Sequence, residues 1–552
     1  MKMTHLILVF IMIICLSLQA TDHLKPVMEP YQLMGKRLVF TNWFYVRAGH
    51  FFWLDADGNK VNTDRDALID ADSARFVSHN VAHGIHLFSE KAQREIPFIQ
   101  TDKPWDKAGI MVHTLIYEKG KYRLWGGCNS DRQNSWYCYL ESNDGRDWVK
   151  PNLGLVEFDG SMDNNLLNVR FEKFTKEAVA GLNTYRTSRF SVFVDPNAPP
   201  EERYKTIWKS RITQEEFQKK YKNTRPWSYY AIEKHAPEVD VLKAAVSADG
   251  YRWKKLPDPL TIEMNDTQNV GTYDQALQKY VIYTRNHMVG SRAPGIPYPK
   301  AAFHRRISRR AIGRTESDNF RQFPLSEVVI ETGNDMRPSD HFYTNCYTTI
   351  PGAPDHHLMF PTLYNVGDDD TDLLLYSSYN GKTWHRVPGS PVLVSQPFGQ
   401  PDGGCFLVYP NLVERPNGDW ILPYNGFDVP HKYPRGSYKF EPGVLIWPKG
   451  RLAGIEAPEK GEFATAAFLL PGKKLKINAL TQRTGHIKVE LVEFDGKSIE
   501  GFTFEESDAV IGDQFWTEVT WNGKAELPVE PGTPIWFRFK LCQAKIYGLE
   551  FE

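Results

Sequence analysis

"SNDGRDW" (residues 142–148) combines a serine, an Asp-Gly pair and a tryptophan in a short stretch. Asp-Gly is a strong hairpin signal, because glycine adopts the positive φ angles that tight turns need. Three more stretches share its register, with serine first, Asp or Asn third and an aromatic seventh: "SADGYRW" (247–253), "SDNFRQF" (317–323) and "SYNGKTW" (378–384). We call these four stretches the turn boxes and interpret them as scaffold.

Each turn box follows an extended stretch and closes a larger unit. A second kind of strand, such as "KYRLWGG" or "DWILPYNG", occurs five times and begins at residues 121, 203, 279, 356 and 419. A turn signal and one more apolar stretch precede each of these strands. The pattern strand, turn, strand, loop, strand, turn box, strand predicts radially repeated four-stranded sheets, which is a five-bladed β-propeller over residues 21–457.

The pattern changes after about residue 458. Stretches such as "KLKINAL", "HIKVELVEF" and "IWFRFKL" alternate apolar and polar residues and are separated by "DG", "NG" and "PG" turns. This alternation predicts an antiparallel β-sandwich over residues 458–552. The best helix signal is "TQEEFQKKY" (213–221), so the predicted fold class is all-β.

The N-terminus predicts export. "MKMTHLILVFIMIICLSLQA" has an early lysine, an apolar run and a small residue at Ala20, which is typical of a cleavable signal peptide over residues 1–20. Lipid modification at Cys15 is less favoured, because bulky Ile14 precedes it. We therefore predict a secreted or periplasmic protein whose mature chain does not insert into a membrane. The oligomeric state is left open.

The composition narrows the classes of molecule that the protein could bind. The formal net charge of −1 gives no reason to expect nucleic-acid binding. Five cysteines follow the signal peptide, and an odd, sparse set is not a disulfide framework. Cys128 and Cys138 flank a polar turn, and whether they are bridged is left open.

Three further stretches resemble a known group. "TDKPWD", "WVKPNLGLVEFDGSMDNN" and "GDQFWTEVTWNG" are similar to secreted bacterial family 32-like glycosyl hydrolases, which are related to glycoside hydrolase families 32 and 43. The resemblance implies a five-bladed propeller that cleaves glycosidic bonds. The family 32 "RDP" and "EC" motifs are missing, and "DPN" occurs only at Asp195–Asn197, where we interpret it as a strand-ending turn. Cleavage of fructans is therefore not predicted.

Glycosidic cleavage commonly needs two carboxyl groups, one as acid and one as nucleophile or base. Loops that enter the first strand of each blade meet at one channel mouth. These loops supply four candidate catalytic carboxylates, each of which could instead be a turn residue: Asp106, Asp266, Asp340 and Asp402. We expect Asp266 and Asp340 to lie within roughly 10 Å of each other. The second blade offers Arg186 and Arg189 instead of an acid.

The same loops supply candidate substrate-binding residues: His341, Arg337, Arg285, Trp105, His113 and Glu263. Trp105 could stack on a sugar ring or pack between blades, and His113 could be an ordinary interior histidine. Arg285, with Arg305 and Arg306, could bind an acidic sugar or sulfate, or could neutralise the aspartates.

The predicted function is a secreted glycoside hydrolase acting on a plant or algal polysaccharide or oligosaccharide. The main alternative is a non-catalytic glycan-binding propeller. A sialidase is a weaker alternative, because that fold has six blades. No cofactor is predicted; a structural divalent cation in the channel is left open, and "GDDDTD" (367–372) is interpreted as a solvated acidic loop rather than a calcium site.

Overall fold

The structure is a computed structural model that describes residues 30–61, 74–131, 134–169, 189–228, 231–232, 238–287, 309–433 and 439–552. The predicted signal peptide, Arg186, Arg305 and Arg306 lie outside these ranges. Strands dominate the described residues, so the all-β fold class is confirmed. The described residues include no helix that is both long and apolar enough to cross a membrane.

The strands are, in chain order, β1 (Arg37–Val39), β2 (His50–Leu54), β3 (Arg75–His79), β4 (His86–Ser89), β5 (Gln93–Glu95), β6 (Ile110–Glu118), β7 (Lys121–Asn129), β8 (Ser135–Ser142), β9 (Phe190–Val194), β10 (Tyr204–Thr213), β11 (Glu238–Ser247), β12 (Lys254–Lys255), β13 (Val270–Asp274), β14 (Lys279–His287), β15 (Arg310–Ser317), β16 (Glu327–Ile330), β17 (Asp340–Phe342), β18 (Tyr347–Ile350), β19 (Ala353–Met359), β20 (Thr362–Asn365), β21 (Asp370–Leu373), β22 (Tyr376–Ser378), β23 (His385–Arg386), β24 (Leu393–Val394), β25 (Cys405–Val408), β26 (Val413–Glu414), β27 (Trp420–Phe427), β28 (Phe440–Trp447), β29 (Ala453–Ala464), β30 (Phe468–Leu469), β31 (Leu475–Glu493), β32 (Asp513–Glu518) and β33 (Pro534–Phe551). Short helical segments among the described residues are Trp43–Tyr45, Pro104–Asp106, Pro200–Glu202, Gln214–Glu216, Phe217–Tyr221 and Pro448–Gly450. The predicted helix at 213–221 coincides with two of these segments.

The chain divides into two compact units. The repeat unit comprises Val39–Asn42 and Leu87–Gly454, and the terminal unit comprises the chain up to Leu38, Trp43–His86 and Ile455–Glu552. The structure thus differs from the predicted domain boundary, because most described residues before Leu87 belong with the C-terminal strands. One reason is β1, which pairs with β33 and whose Arg37 donates to Glu550 over 2.6 Å.

The repeat unit contains five antiparallel groups of strands within its described residues. In order from the first strand, the groups are β6-β7-β8 (sheet 1), β9-β10-β11-β12 (sheet 2), β13-β14-β15-β16 (sheet 3), the two halves β17-β20-β21-β24 and β18-β19-β22-β23 (sheet 4), and β25-β27-β28-β5 with β26 paired to β27 (sheet 5). Sheet 4 is split because each of its four long strands is interrupted midway.

The five sheets contact one another in cyclic order. The first strands of sheets 1, 2 and 3 are neighbours, sheet 3 contacts β17, sheet 4 contacts β25, and β27 contacts β6. The last strand of sheet 5 is β5, which precedes sheet 1 in the chain and pairs with β28. The sequence analysis missed this strand, because three polar residues at 93–95 carry no alternation of apolar and polar side chains.

The turn boxes have the scaffold role that the sequence predicts. In the first box, Asp144 Oδ1 accepts from the backbone N–H groups of Arg146 and Asp147 over 2.8 and 2.9 Å, and Gly145 has φ 72°. The glycine carbonyl then accepts from the neighbouring sheet: Arg415 donates to Gly145 over 2.9 Å. Two further boxes repeat this contact, with Trp125 donating to Gly250 and Tyr283 donating to Gly381, both over 2.8 Å. Three of the four boxes therefore both close a turn and join two sheets.

The terminal unit differs in detail from the prediction. Its strands β1 and β29 to β33 belong to one antiparallel sheet in which β31 and β33 pair along almost their whole length. The predicted strands "KLKINAL" and "HIKVELVEF" are parts of β31, because the "TQRTG" stretch between them continues the strand through a register shift and makes no turn. "IWFRFKL" and "KIYGLEF" are likewise both parts of β33.

Candidate functional site

The predicted site residues lie at one end of the strands of the five sheets, not along an edge strand. The first strand of each sheet begins there, and in an antiparallel sheet the second strand ends there and the third begins there. We call this edge of the repeat unit the entry edge. It includes the start of β13, the end of β14 and the start of β15, together with the loops before β17 and β25.

A narrow, nearly closed crevice, too tight to hold a water molecule, lies at the entry edge between sheets 3 and 4, and we call it the cleft. Its walls come from the loop before β13, from β14 and β15, and from the segment that follows β17. The residues lining it are Thr267, Gln268, Thr284, Arg285, Ala311, Ile312, Phe342, Tyr343, Thr344 and Asn345. One predicted site residue, Arg285, lines this cleft directly.

Asp266 and Arg285 meet beside the cleft. The Arg285 side chain is 3% exposed and forms an ion pair with the carboxylate of Asp266, which is 21% exposed. Arg285 Nη2 also lies 2.8 Å from Nε2 of His287. The buried guanidinium thus holds the one predicted catalytic carboxylate that adjoins the cleft.

His341 faces this group from sheet 4. Its Nδ1 accepts from the backbone N–H of Arg310 over 3.1 Å. Burial, with smaller contributions from Arg310, Arg285 and Arg309, lowers the pKa of His341 to about 4. His341 is therefore neutral at pH 7 and acts as a hydrogen-bond acceptor here.

Tyr343 lies under a guanidinium. The Cζ atom of Arg310 is 4.3 Å from the Tyr343 ring centroid, and the Tyr343 hydroxyl is 2.6 Å from Nε2 of His431. Burial alone would raise the pKa of Tyr343, but Arg310, Arg189 and Lys432 together bring this pKa below its ordinary value. A positive potential therefore surrounds this hydroxyl.

His113 and Arg189 extend the same polar region towards sheets 1 and 2. His113 is 1% exposed, and its ring packs against Phe190 at 5.0 Å and Tyr409 at 5.8 Å. Burial lowers the pKa of His113 to about 3, and Arg189 adds to this shift. Neither ring nitrogen has a hydrogen-bond partner among the described residues. His113 is thus an interior histidine, as one of the two interpretations of the sequence had it, but one with unpaired nitrogens.

Asp340 and His341 point to opposite faces of sheet 4. Asp340 pairs with Asn365 and His341 with Tyr364, and successive side chains in a strand alternate between faces. The Asp340 carboxylate accepts from the backbone N–H of Arg337 over 2.9 Å and lies 3.3 Å from its Nε. Asp340 therefore closes its own loop, and its separation from Asp266 stays a prediction.

The acidic run at 367–372 is not a solvated loop throughout. Its second half forms β21, and burial raises the pKa of Asp372 to about 6, with Asp370 and Asp340 adding to the effect. Among the described residues, no three His, Cys, Asp or Glu side chains are grouped so as to hold a metal ion.

Asp106 has structural partners in sheet 1. Its carboxylate is fully buried, accepts from the backbone N–H of Lys103 over 2.9 Å and lies 2.5 Å from Nζ of Lys150. Trp105 donates to Asn165 over 2.7 Å and packs against Phe158 at 5.8 Å. These contacts match the turn and packing interpretations of both residues.

Asp402 lies where β5 completes sheet 5. Its fully buried carboxylate accepts from Arg94 over 2.9 Å, from Gln396 over 2.5 Å and from the Tyr424 hydroxyl over 3.2 Å. Arg94 belongs to β5, the strand that closes sheet 5. Asp402 thus stabilises the closure and has no described contact with the cleft residues.

Glu263 is buried in the loop that also carries Asp266. Its Oε2 accepts from the Ser326 hydroxyl over 2.7 Å and from the Ser326 backbone N–H over 3.2 Å. Burial raises the pKa of Glu263 to about 6 although these bonds oppose the shift.

The structure shows the state of the Cys128–Cys138 pair and the position of the "DPN" stretch. Cys128 and Cys138 are bridged across β7 and β8, with 6.0 Å between their Cα atoms. Asp195 of the "DPN" stretch lies just after β9, at the edge opposite the entry edge, where it pairs with Lys205 over 3.0 Å. The strand-ending interpretation of this motif is therefore confirmed.

The sequence analysis missed Arg310, His287 and His431. Arg310 follows another arginine at the start of β15, a position that resembles many solvated strand ends. His431 contacts Tyr343 from a segment 88 residues later in the chain. A single sequence carries no signal for that contact.

No protein-family model matches the sequence, and no curated protein matches it. Among solved structures, the chain is similar to an N-acetylgalactosamine deacetylase from F. plautii (12% identity, TM-score 0.37, covering 66% of this chain and 95% of that chain). It is also similar to a thermostable family 43 glycoside hydrolase (14%, 0.35, 61% and 88%) and to the family 32 β-fructofuranosidase of Bombyx mori (10%, 0.32, 86% and 94%). At these values the similarity assigns neither an activity nor a residue role to this chain.

Proposed function

We propose that the chain is an exported glycoside hydrolase that cleaves a glycosidic bond in an oligosaccharide or polysaccharide at the entry edge. In this proposal the five sheets are the blades of a β-propeller, the entry edge is the channel mouth, and the terminal unit is a β-sandwich. The cyclic contacts among the sheets and the closure by β5 support the propeller. The sequence resemblance to family 32-like glycosyl hydrolases supports the activity.

The observation that carries the proposal is the convergence at the cleft. Asp266 and Arg285 come from sheet 3, and Tyr343 and His341 come from sheet 4, yet they are linked by contacts through Arg310 and Arg285. A concave site with a few convergent polar groups and shifted pKa values is the usual signature of a ligand-binding site.

Asp266 supplies one of the two carboxyl groups in this mechanism. A guanidinium in contact with a carboxylate favours its ionised form, which suits a nucleophile or base. Glu263 suits the acid, because burial raises its pKa to about 6 and a proton donor needs a pKa near the working pH. Trp105, Asp106, Asp340 and Asp402 keep structural roles in this proposal, so Glu263 takes the place of the other three candidate aspartates.

The second candidate function is binding without catalysis. It is favoured by the structural contacts of Asp106, Asp340 and Asp402, which leave Asp266 as the one predicted carboxylate beside the cleft. Both functions place a glycan in the same cleft. They differ in whether the bound glycan is cleaved.

The experiment that tests the proposal is a screen of the purified mature protein against a panel of oligosaccharides, with released sugars detected by mass. We expect at least one substrate to be cleaved, and Asp266→Asn to abolish that cleavage. Asp318→Asn is the matched control, because this 81%-exposed aspartate follows β15 at the opposite edge. Full activity of Asp266→Asn would overturn the assignment, and glycan binding without any cleavage would favour the second function.

A further inference from the structure

We infer that the glycan recognised at the cleft is acidic, carrying a carboxylate or a sulfate ester, and that Arg310 is the residue that recognises this anionic group. The inference rests on the proposed function and narrows its substrate class. It differs from recognition of neutral sugars, for which stacking and neutral hydrogen bonds suffice.

Cations cover the aromatic rings of the entry edge. Arg310 lies 4.3 Å from the Tyr343 ring centroid, Arg189 lies 6.0 Å from that of Tyr409, and Nζ of Lys432 lies 5.6 Å from that of Tyr364. Stacked guanidinium groups keep their N–H edges directed outward from the ring. These edges are suited to carboxylate and sulfate oxygens, which accept bidentate hydrogen bonds.

Three titratable groups on different strands and loops lie near these cations, and burial is the largest cause of the lowered pKa values of the two histidines. Burial and nearby arginines lower the pKa of His341 to about 4, and burial with Arg189 lowers the pKa of His113 to about 3. The pKa of Tyr343 falls in spite of burial, because Arg310, Arg189 and Lys432 surround it. An anion bound among these groups would raise all three pKa values, and would therefore oppose each of these shifts.

Buried donors are left without partners in this region. The Nη1 atom of Arg310 is buried and has no hydrogen-bond partner among the described residues. The two ring nitrogens of His113, one a donor and one an acceptor in the neutral ring, also have no partner among the described residues. Leaving a charged donor unpaired costs free energy, so a site that keeps one is built to have it paired by a ligand.

The described carboxylates do not neutralise these cations fully. Asp266 pairs with Arg285. Asp369 accepts from the Tyr364 hydroxyl over 2.6 Å and from the backbone N–H of Lys432 over 2.8 Å. Neither carboxylate has a described ion pair with Arg310. The positive charge of this guanidinium therefore remains available to an anionic group.

The test compares matched oligosaccharides by calorimetric titration: a uronate-containing series, a sulfated series and their neutral counterparts. Because hydrogen bonds to charged groups are stronger than those between neutral groups, we expect the protein to bind one acidic series about tenfold or more tightly than its neutral counterpart. We also expect this preference to shrink at high salt, whereas affinity for neutral glycans should not change. Equal affinity for acidic and neutral series, at low and high salt alike, would overturn the inference.

Substitutions of Arg310 test whether this residue causes the preference for acidic glycans. Arg310→Gln should lose the preference for the acidic series, and Arg310→Lys should retain part of it, because lysine keeps the charge without the planar fork. Arg321→Gln is the matched control, since Arg321 pairs with Glu202 beyond the other end of β15. A preference that persists in a folded Arg310→Gln protein would refute the role of Arg310. The salt titration of the unaltered protein tests the inference even if this variant fails to fold.

Binding and turnover separate this inference from the proposed function. Tight binding of an acidic glycan without cleavage would support the inference and count against the hydrolase. Cleavage of a neutral glycan, combined with no preference for acidic glycans, would support the hydrolase and count against the inference. The uronate and sulfated arms identify which anionic group the cleft takes.

Discussion

Replacing Glu263 by glutamine tests both the electrostatics of the candidate loop and the acid role assigned to it. Burial raises the pKa of Glu263 from 4.5 to about 6 in the folded protein, so folding favours the protonated form. Glu263 therefore contributes stability below pH 4.5 that is lost as the pH rises through about 6. A shift of about 1.5 pKa units corresponds to about 2 kcal/mol. Glutamine keeps an oxygen for Ser326 and cannot ionise, so Glu263→Gln should be more stable than the parent by about this amount at pH 8 and no more stable at pH 4.

The assay is thermal unfolding of both proteins across pH 4–8, followed by turnover of whichever glycan the screen identifies. A gain of about 2 kcal/mol corresponds to roughly 3 °C in Tm for a unit of this size. Since the acid role requires a transferable proton, turnover should fall by about 100-fold or more. A Tm difference that is the same at pH 4 and pH 8 would refute the raised pKa. Full turnover would refute the acid role and leave Glu263 as a buried anchor for Ser326.

Three further predictions concern the scaffold and the cleft. Cys128→Ser with Cys138→Ser should lower the free energy of unfolding by about 2–3 kcal/mol through the lost loop constraint, measured by denaturant titration, and mass analysis without reductant should find this one bridge; a double variant as stable as the parent would contradict the bridge. Asp402→Ala should lower the free energy of unfolding by about 1–3 kcal/mol, because Arg94, Gln396 and Tyr424 lose the fully buried carboxylate that they contact, while any glycan turnover at 20 °C persists; lost turnover in a folded protein would return Asp402 to the site. Asp266→Asn should lower the Tm as well as turnover, because Arg285 is 3% exposed and loses its ion-pair partner; an unchanged Tm would contradict the described pair.

The scaffold was largely predictable because its determinants are local. The turn boxes fix a backbone turn with Ser, Asp or Asn and Gly within a few residues, and the structure shows the predicted hydrogen bonds at Asp144 and Asp249. The first strands were also found, since continuous apolar runs are typical of buried strands. The closing strand β5 was missed, because its pairing with β28 depends on residues about 350 positions away in the chain.

The site was harder to predict because it depends on which way each side chain points. Asp340 and His341 are adjacent in sequence, yet strand alternation separates their side chains to opposite faces. Asp402 and Asp106 lie in the predicted loops, but Arg94 and Lys150 hold their carboxylates. The cationic character of the cleft comes from arginines of sheets 2 and 3 together with Lys432 of sheet 5, and no short stretch of sequence displays it.

The most direct test is a crystal structure of Asp266→Asn soaked with the glycan that binds most tightly in the titrations. We predict an ordered sugar in the cleft between sheets 3 and 4, with its anionic oxygens within hydrogen-bond distance of the Arg310 guanidinium. A glycan ordered on another edge of the repeat unit, with the cleft beside Arg285 and Tyr343 empty, would contradict this site.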